Sequence, residues 1–236
     1  MDSKYINTRI FIQSKSPSFE RFLSSTVGIL VWKVLQWMCT QTDVYIFSGV
    51  IRNYFLGRLD CRDLDIVVKS LAPLKELLDI SPSVHKNQFG GYKIKYSFIE
   101  IDIWELDKTW GIQAKNMKST PESLVNSAFF NFSGILYNLN KHCFIISEPF
   151  CYFFNTKEMD LILEDNPCPE LCIVNTFYYE QKYSFKISHN LKKWIIREYC
   201  NMQDKQRLIK VQEHHYSKIY FDLNEIKGKI LPFVPK

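Results

Sequence analysis

The sequence predicts an α+β protein, with an α/β head over residues 1–150 followed by a smaller helical part over 151–236. Two observations lead to this prediction. In the head, apolar residues at helical spacing over 19–41 precede short apolar runs that are typical of buried strands. Beyond residue 150 the strand-like runs fade, whereas helical spacing continues. With 236 residues, the chain is long enough to bury a substantial hydrophobic core.

The order of the elements follows from the positions of apolar runs and helix breakers. Residues 1–20 are expected to be an irregular extension, because SKSPS at 14–18 is a cluster of breakers. The segment 19–41 is expected to be a buried helix. The remaining elements are predicted as strands over 44–47, 64–69, 92–96, 98–106, 135–139 and 143–147, and as helices over 49–56, 71–78, 121–130, 170–181 and 190–200.

Several predicted helix ends carry signals of their own. Gly57 is expected to close the short helix over 49–56, because glycine readily takes the left-handed conformation that ends helices. Pro73 falls in the first turn of the helix over 71–78, where its missing N–H is tolerated. Thr120 precedes the helix over 121–130 and is a suitable N-cap.

Composition and charge are those of an ordinary globular protein. The 30 basic and 25 acidic residues give a net charge of +5, which permits a nucleotide or nucleic-acid partner without requiring one. Seven cysteines and no signal-peptide pattern indicate reduced thiols in a cytoplasmic protein. The most apolar run, 26–39, contains Lys33 and Gln36 and is too short to span a bilayer, so no membrane segment is expected.

Acidic residues recur at every second position on two of the predicted strands. Side chains alternate between the faces of a strand, so Asp63 and Asp65 share one face, as do Glu100 and Asp102. If the two strands are neighbours, three or four carboxylates converge. Because burial of uncompensated charge is unfavourable, such a cluster calls for positive charge. Divalent cations, Mg²⁺ or Mn²⁺, held by carboxylates and substrate phosphates would supply it.

A second feature lies just upstream of the carboxylates. Ser48 and Gly49 turn the chain from a strand into a helix, whose first N–H groups are suited to bind an anion. Arg52 lies one turn into this helix and could contact a phosphate or pair with a carboxylate. An anion site beside a metal site is the layout needed to hold a nucleoside triphosphate (NTP) with its metal ions.

This pattern resembles the head of the DNA polymerase β nucleotidyltransferase superfamily. Within it, the chain is similar to the class II CCA-adding enzymes and bacterial poly(A) polymerases, which have Gly-Gly, Arg-Asp, Leu-Leu-Gly and Asp-x-Asp in this order. The residues that carry the resemblance are Ser48, Gly49, Arg52, Asn53, Leu56, Gly57, Asp63 and Asp65. A weaker likeness extends over about residues 25–200, including Phe89-Gly90-Gly91 before the second acidic strand.

The resemblance implies a nucleotidyltransferase head with a mixed sheet flanked by helices, followed by a helical, neck-like part. It also implies site residues. Asp63, Asp65 and Asp102 are the expected catalytic metal ligands, with Glu100 competing for the third place. The expected nucleotide-binding residues are Ser48, Gly49, Arg52, Asn53 and Arg62.

The chain departs from that family where the nucleotide base is chosen. The family reads Glu-Asp-x-x-Arg there, whereas the corresponding stretch here is Cys168-Pro169-Glu170-Leu171-Cys172. We therefore expect a metal-dependent transfer of a nucleoside monophosphate from an NTP to an acceptor hydroxyl, in particular an RNA or tRNA 3′ end, without the CCA-type base template. Two alternatives stay open: a catalytically inactive member that binds nucleotide or RNA, and a transferase that modifies a protein or small molecule in toxin or defence fashion.

Overall fold

A computed structural model describes residues 3–59, 61, 63–75, 78, 84–86, 90–96 and 99–234 of the chain. The chain divides into two compact units. The first unit comprises residues 1–128 and 132–151, and the second comprises 129–131 and 152–236.

The described residues form the following helices and strands. The helices are α1 (Ile6–Ser14), α2 (Ser16–Gln41), α3 (Gly49–Phe55), α4 (Trp110–Ala114), α5 (Pro121–Asn126), α6 (Glu148–Thr156), α7 (Pro169–Tyr183), α8 (His189–Asn201), α9 (Arg207–Tyr216) and α10 (Leu223–Ile230). The strands are β1 (Val44–Phe47), β2 (Asp63–Val68), β3 (Val84–Lys86), β4 (Tyr92–Tyr96), β5 (Ile99–Glu105), β6 (Ile135–Asn138), β7 (Cys143–Ile146), β8 (Glu158–Met159) and β9 (Lys186–Ile187).

The sheet of the first unit is mixed, as expected. Its described strands lie in the order β3-β4-β5-β2-β1-β6-β7, and β2 and β5 are parallel neighbours while the other adjacent strands are antiparallel. The structure thus confirms the predicted α+β fold with a mixed sheet flanked by helices. Antiparallel neighbours can be joined by short turns, whereas β2 and β5 are parallel and are joined through β3 and β4.

The N-terminal segment is helical, so the expectation of an irregular extension over 1–20 is wrong. Pro17 lies at the start of α2, where a proline is favoured, so the breaker cluster marks only the boundary between two helices. The helix α1 is held on the edge strand β7. Arg9 donates a hydrogen bond to the Ile146 carbonyl at 2.6 Å, and Gln13 exchanges hydrogen bonds with the backbone of Phe144. These contacts cover an otherwise open sheet edge.

The helix α2 is longer than the sequence analysis expected, and it bends at Gly28, whose φ of 80° and ψ of 161° are not helical. Along α2, buried side chains recur at every third or fourth position; they include Phe19, Leu23 and Leu35. Among the described residues, α2 is also the one helix long and apolar enough to cross a membrane by length and composition, a test that the core helix of a soluble protein passes too.

Hydrophobic cores pack against both faces of the sheet of the first unit. Against one face, an aromatic cluster joins α2 to the sheet, with Phe19 packed on Tyr137 at 4.9 Å and on Phe144 at 5.2 Å between ring centroids. Against the opposite face, a second core includes Tyr45 and Val67 from the sheet. Asp63 and Asp65 alternate with Leu64 and Ile66 along β2, so the two carboxylates share the face that carries Val67.

The second unit is mostly helical, in line with the fading strand signals, but it also contains a small parallel sheet of β8 and β9 that the sequence analysis did not predict. These strands have two residues each, too few to show a period. The helix α5 ends at Asn126, earlier than expected, and Thr120 caps its start by accepting a hydrogen bond from the Ser123 N–H.

Candidate active site

The acidic positions of β2 and β5 lie side by side. The two strands pair in parallel with Asp63 opposite Glu100 and Asp65 opposite Asp102. Along both strands these four residues are partly exposed, and the residues between them are buried. The two strands are therefore neighbours, the condition that the sequence analysis set for bringing the carboxylates together.

The turn after β1 reaches the same place. Phe47, the last residue of β1, lies opposite Asp65 in the antiparallel pairing with β2. Ser48 and Gly49 follow immediately and begin α3. The proposed anion-binding turn and the acidic end of β2 are thus adjacent in the fold.

Ser48 takes a backbone conformation that favours glycine. Its φ is 49° with ψ at −86°, and it is buried. The Ser48 N–H donates to the Ile135 carbonyl at 3.3 Å, and the Ser48 carbonyl accepts the first helical hydrogen bond, from Arg52, at 2.9 Å. These two bonds hold a residue with a side chain in a strained turn, a feature that clusters at functional sites.

The helix α3 carries three further proposed nucleotide-binding residues, Gly49, Arg52 and Asn53, of which Asn53 is buried. A methyl group added at Gly49 would meet no atom of the described residues within 4 Å beyond its chain neighbours and its own helix backbone, so there is space beside this turn. The Arg52 guanidinium lies over the ring of Phe132, 5.4 Å from its centroid, and its Nη2 lies 3.4 Å from the Asn53 amide oxygen. Gly57, with φ at 67°, follows the end of α3 as expected.

The pKa of Asp65 reflects the charges of the acidic residues on β2 and β5 and of the basic residues near them. Burial is the largest cause that raises the pKa of Asp65, from 3.8 to about 7, and the negative charges of Asp63 and Asp102 raise it further. Lys93 and Arg52 act in the opposite direction. The positive charge that the acidic face requires is therefore supplied in part by the protein itself.

Lys93 is the residue that the sequence analysis missed. It lies on β4 directly opposite Asp102, and its Nζ is 2.9 Å from Asp102 Oδ2 and 3.6 Å from Glu100 Oε2. Partial burial lowers the pKa of Lys93, but the hydrogen bonds and charges of Asp102 and Glu100 together outweigh it and raise that pKa overall. The YKIKY alternation of β4 puts two lysines, Lys93 and Lys95, on one face, but only the strand pairing shows which carboxylate each one meets.

The donor chemistry of the cluster fits a divalent cation, since carboxylate oxygens are the ligands that Mg²⁺ and Mn²⁺ prefer. As arranged, however, the described part of the chain contains no group of three or more His, Cys, Asp or Glu residues that could hold a metal ion. The residues that could hold a divalent cation are therefore Asp63 and Asp65 of β2, and substrate phosphates would supply its further ligands.

No known sequence family matches the chain, and no curated protein matches it by sequence. Its structure is similar to solved structures of CCA-adding enzymes and tRNA nucleotidyltransferases. The apo form I of a CCA-adding enzyme matches with a TM-score of 0.66 at 18% identity, covering 90% of this chain and 53% of that one. Over the part that it covers, the chain has the fold of that CCA-adding enzyme.

Two further structures agree. The Thermotoga maritima CCA-adding enzyme complexed with tRNA matches with a TM-score of 0.65 at 17% identity, covering 91% of this chain and 53% of that one. A tRNA nucleotidyltransferase complexed with a primer tRNA and an incoming ATP analogue matches with a TM-score of 0.61 at 18% identity, covering 85% and 59%. The chain therefore spans little more than half the length of these CCA-adding and tRNA nucleotidyltransferase structures.

The stretch 168–172, which the sequence analysis matched to the base-selecting segment of that family, lies at the start of α7 in the second unit. Cys168 precedes α7, and Glu170 in its first turn is almost fully buried. The Glu170 carboxylate pairs with Arg207 of α9, with Oε1 2.7 Å from Nη2. One of the basic residues in this unit, Arg197, pairs with Glu164 at 3.0 Å.

Two residues named in the sequence analysis lie outside the described part of the chain. They are Arg62, expected to bind nucleotide, and Phe89, part of the weaker resemblance. The roles assigned to Asp63, Asp65, Asp102, Ser48, Gly49, Arg52 and Asn53 stay predictions.

Proposed function

We propose that the protein is a metal-dependent nucleotidyltransferase that moves a nucleoside monophosphate from an NTP to an acceptor hydroxyl. The observation that supports the proposal is the parallel register of β2 and β5, which pairs Asp65 with Asp102 on neighbouring strands, with Asp63 on the same face of β2 and the Ser48-Gly49 turn next to it. The acceptor that we favour is an RNA 3′ end, in particular that of tRNA, since similar structures include complexes with tRNA.

In this proposal each group of the site has a separate task. Ser48, Gly49 and Arg52 contact the triphosphate, and Asp63 and Asp65 hold Mg²⁺ or Mn²⁺. A bound divalent cation would polarise the acceptor hydroxyl and stabilise the pyrophosphate leaving group. Asp102 lies beside Asp65 and is the candidate for the third carboxylate, whereas Glu100 lies beside Asp63 and its side chain is more exposed.

The test is transfer of label from each NTP, taken separately with Mg²⁺ or Mn²⁺, to a total RNA pool. We expect Asp63→Ala and Asp65→Ala to abolish transfer, with Asp102→Ala similar and Glu100→Ala milder. Asp107→Ala is the matched control, because Asp107 is an exposed carboxylate paired with its neighbour Lys108. Transfer at the parent rate by Asp63→Ala or Asp65→Ala protein would show that the metal-site assignment is wrong.

The same assay tests nucleotide choice. Since the family's Asp and Arg base readers are replaced in 168–172, we expect incorporation without an ordered C, C, A product. RNA is expected to bind through backbone contacts that weaken as salt increases. Replacing Lys192, Lys193 and Arg197 together by Glu should weaken RNA binding and leave NTP binding unchanged. RNA modification at the parent level by this triple variant would place the acceptor elsewhere.

One observation favours a second candidate function, a catalytically inactive member that binds nucleotide or RNA. The ammonium of Lys93 contacts both candidates for the third carboxylate, Asp102 and Glu100. Saturable NTP binding without label transfer to RNA, protein or small molecules, under any metal, would support this candidate. Transfer that depends on Asp63 would exclude it.

A further inference from the structure

Lys93 is placed so that its ammonium contacts the acidic residues of β5. Of the two lysines on this face of β4, Lys93 lies opposite Asp102 and Lys95 lies opposite Glu100. The Lys93 ammonium nevertheless reaches both acidic residues, at 2.9 Å from Asp102 and 3.6 Å from Glu100. One protein cation thus engages both carboxylates that could complete the metal site.

We propose that Lys93 is a built-in counter-ion that competes with the divalent cation for Asp102 and so sets the metal affinity of the free protein. This inference rests on the proposed function. In the absence of nucleotide, the ammonium neutralises Asp102, so that Asp102 is occupied and does not serve as a metal ligand beside Asp63 and Asp65. A cation that uses Asp102 must first displace Lys93.

The physical properties of the contact suit such a role. A lysine ammonium is a compact charge on a flexible stem, so it can move away without a change in the backbone. The side chain of Lys93 is 46% exposed, so its charge is partly solvated and its displacement is feasible. An ammonium left within a few ångströms of a bound dication would repel it. A triphosphate adds negative charge to the site and gives the displaced ammonium a new partner, so cation and NTP should bind cooperatively.

The test is a titration of nucleotide-free protein with Mn²⁺, in which electron paramagnetic resonance measures the unbound ion. We expect Lys93→Met to lower the Mn²⁺ dissociation constant about tenfold. Lys95→Met is the matched control, since it removes the same charge from the same face of the same strand; its dissociation constant should stay within about twofold of the parent. Lys93→Gln is the second variant, and circular dichroism checks that each protein is folded.

The double variant Lys93→Met/Asp102→Asn locates the effect. This double variant should not show the tenfold lower Mn²⁺ dissociation constant, because the Asp102 carboxylate that Lys93→Met frees as a ligand is then absent. An unchanged dissociation constant in both Lys93 variants, an equal gain in Lys95→Met, or a gain that survives Asp102→Asn would each overturn the inference. Because Mn²⁺ binding is measured without turnover, a tenfold gain in Lys93→Met together with a parent protein that transfers no label would sustain the inference and refute the proposed function. Label transfer by the parent protein without any gain in Lys93→Met would refute the inference and leave the proposed function standing.

Discussion

Asp65 offers a direct test of the charge balance in the acidic cluster. Burial and the charges of Asp63 and Asp102 raise the pKa of its carboxyl from 3.8 to about 7, so ionising Asp65 opposes folding at neutral pH. We predict that Asp65→Asn, which keeps the shape and removes the charge, makes the metal-free protein more stable above pH 7.

The magnitude follows from linkage. The difference between 3.8 and about 7 corresponds to about 4 kcal/mol, at 1.36 kcal/mol per pKa unit. Since Asp65 is only partly buried and water screens its charge, we expect a measured gain of about 1–2 kcal/mol. The raised pKa means that the folded state binds the extra proton. The stability that protonated Asp65 gives the folded state, relative to ionised Asp65, is fully present below pH 3.8 and is lost as the pH rises through about 7.

The assay is urea unfolding of parent and Asp65→Asn proteins in chelator, at intervals between pH 4 and 8.5. The difference in the free energy of unfolding should be near zero at pH 4, grow through the window from 4 to 7, and level off above about pH 8. Asp107→Asn, at an exposed carboxylate, should show no comparable growth. A difference that does not change with pH, or a less stable Asp65→Asn protein at pH 8, would refute the reasoning.

Three further predictions concern stability and are measured by the same unfolding assay. Phe19→Ala should cost about 3–5 kcal/mol, because the ring is fully buried in the aromatic cluster; a loss below about 1 kcal/mol would contradict that packing. Ser48→Gly should gain about 1 kcal/mol, because glycine tolerates a φ of 49°; a clear loss would show that the serine side chain itself stabilises the turn. Asp222→Ala should cost about 1 kcal/mol, since Asp222 and Glu225 form a capping box at the start of α10, and an unchanged midpoint would show that the box contributes nothing.

Local patterns in the sequence determined several features of this protein. The alternation of acidic and apolar residues in 63–66 and 99–103 placed the carboxylates on one face of each strand, and burial follows that alternation. Thr120 and Gly57 marked helix ends where the structure has them. These features were predictable because strand parity, capping and left-handed glycines depend on neighbouring residues only.

The tertiary structure alone decided which elements meet. Apolar runs predict strands but carry no information on strand order, so the neighbourhood of β2 and β5, and with it the pairing of Asp65 with Asp102, could only be assumed. The same holds for Lys93, whose partner on β5 is set by register. The N-terminal segment looked irregular because SKSPS is rich in breakers. It is helical because α1 docks on β7 through contacts between residues more than 130 positions apart, which no local pattern encodes.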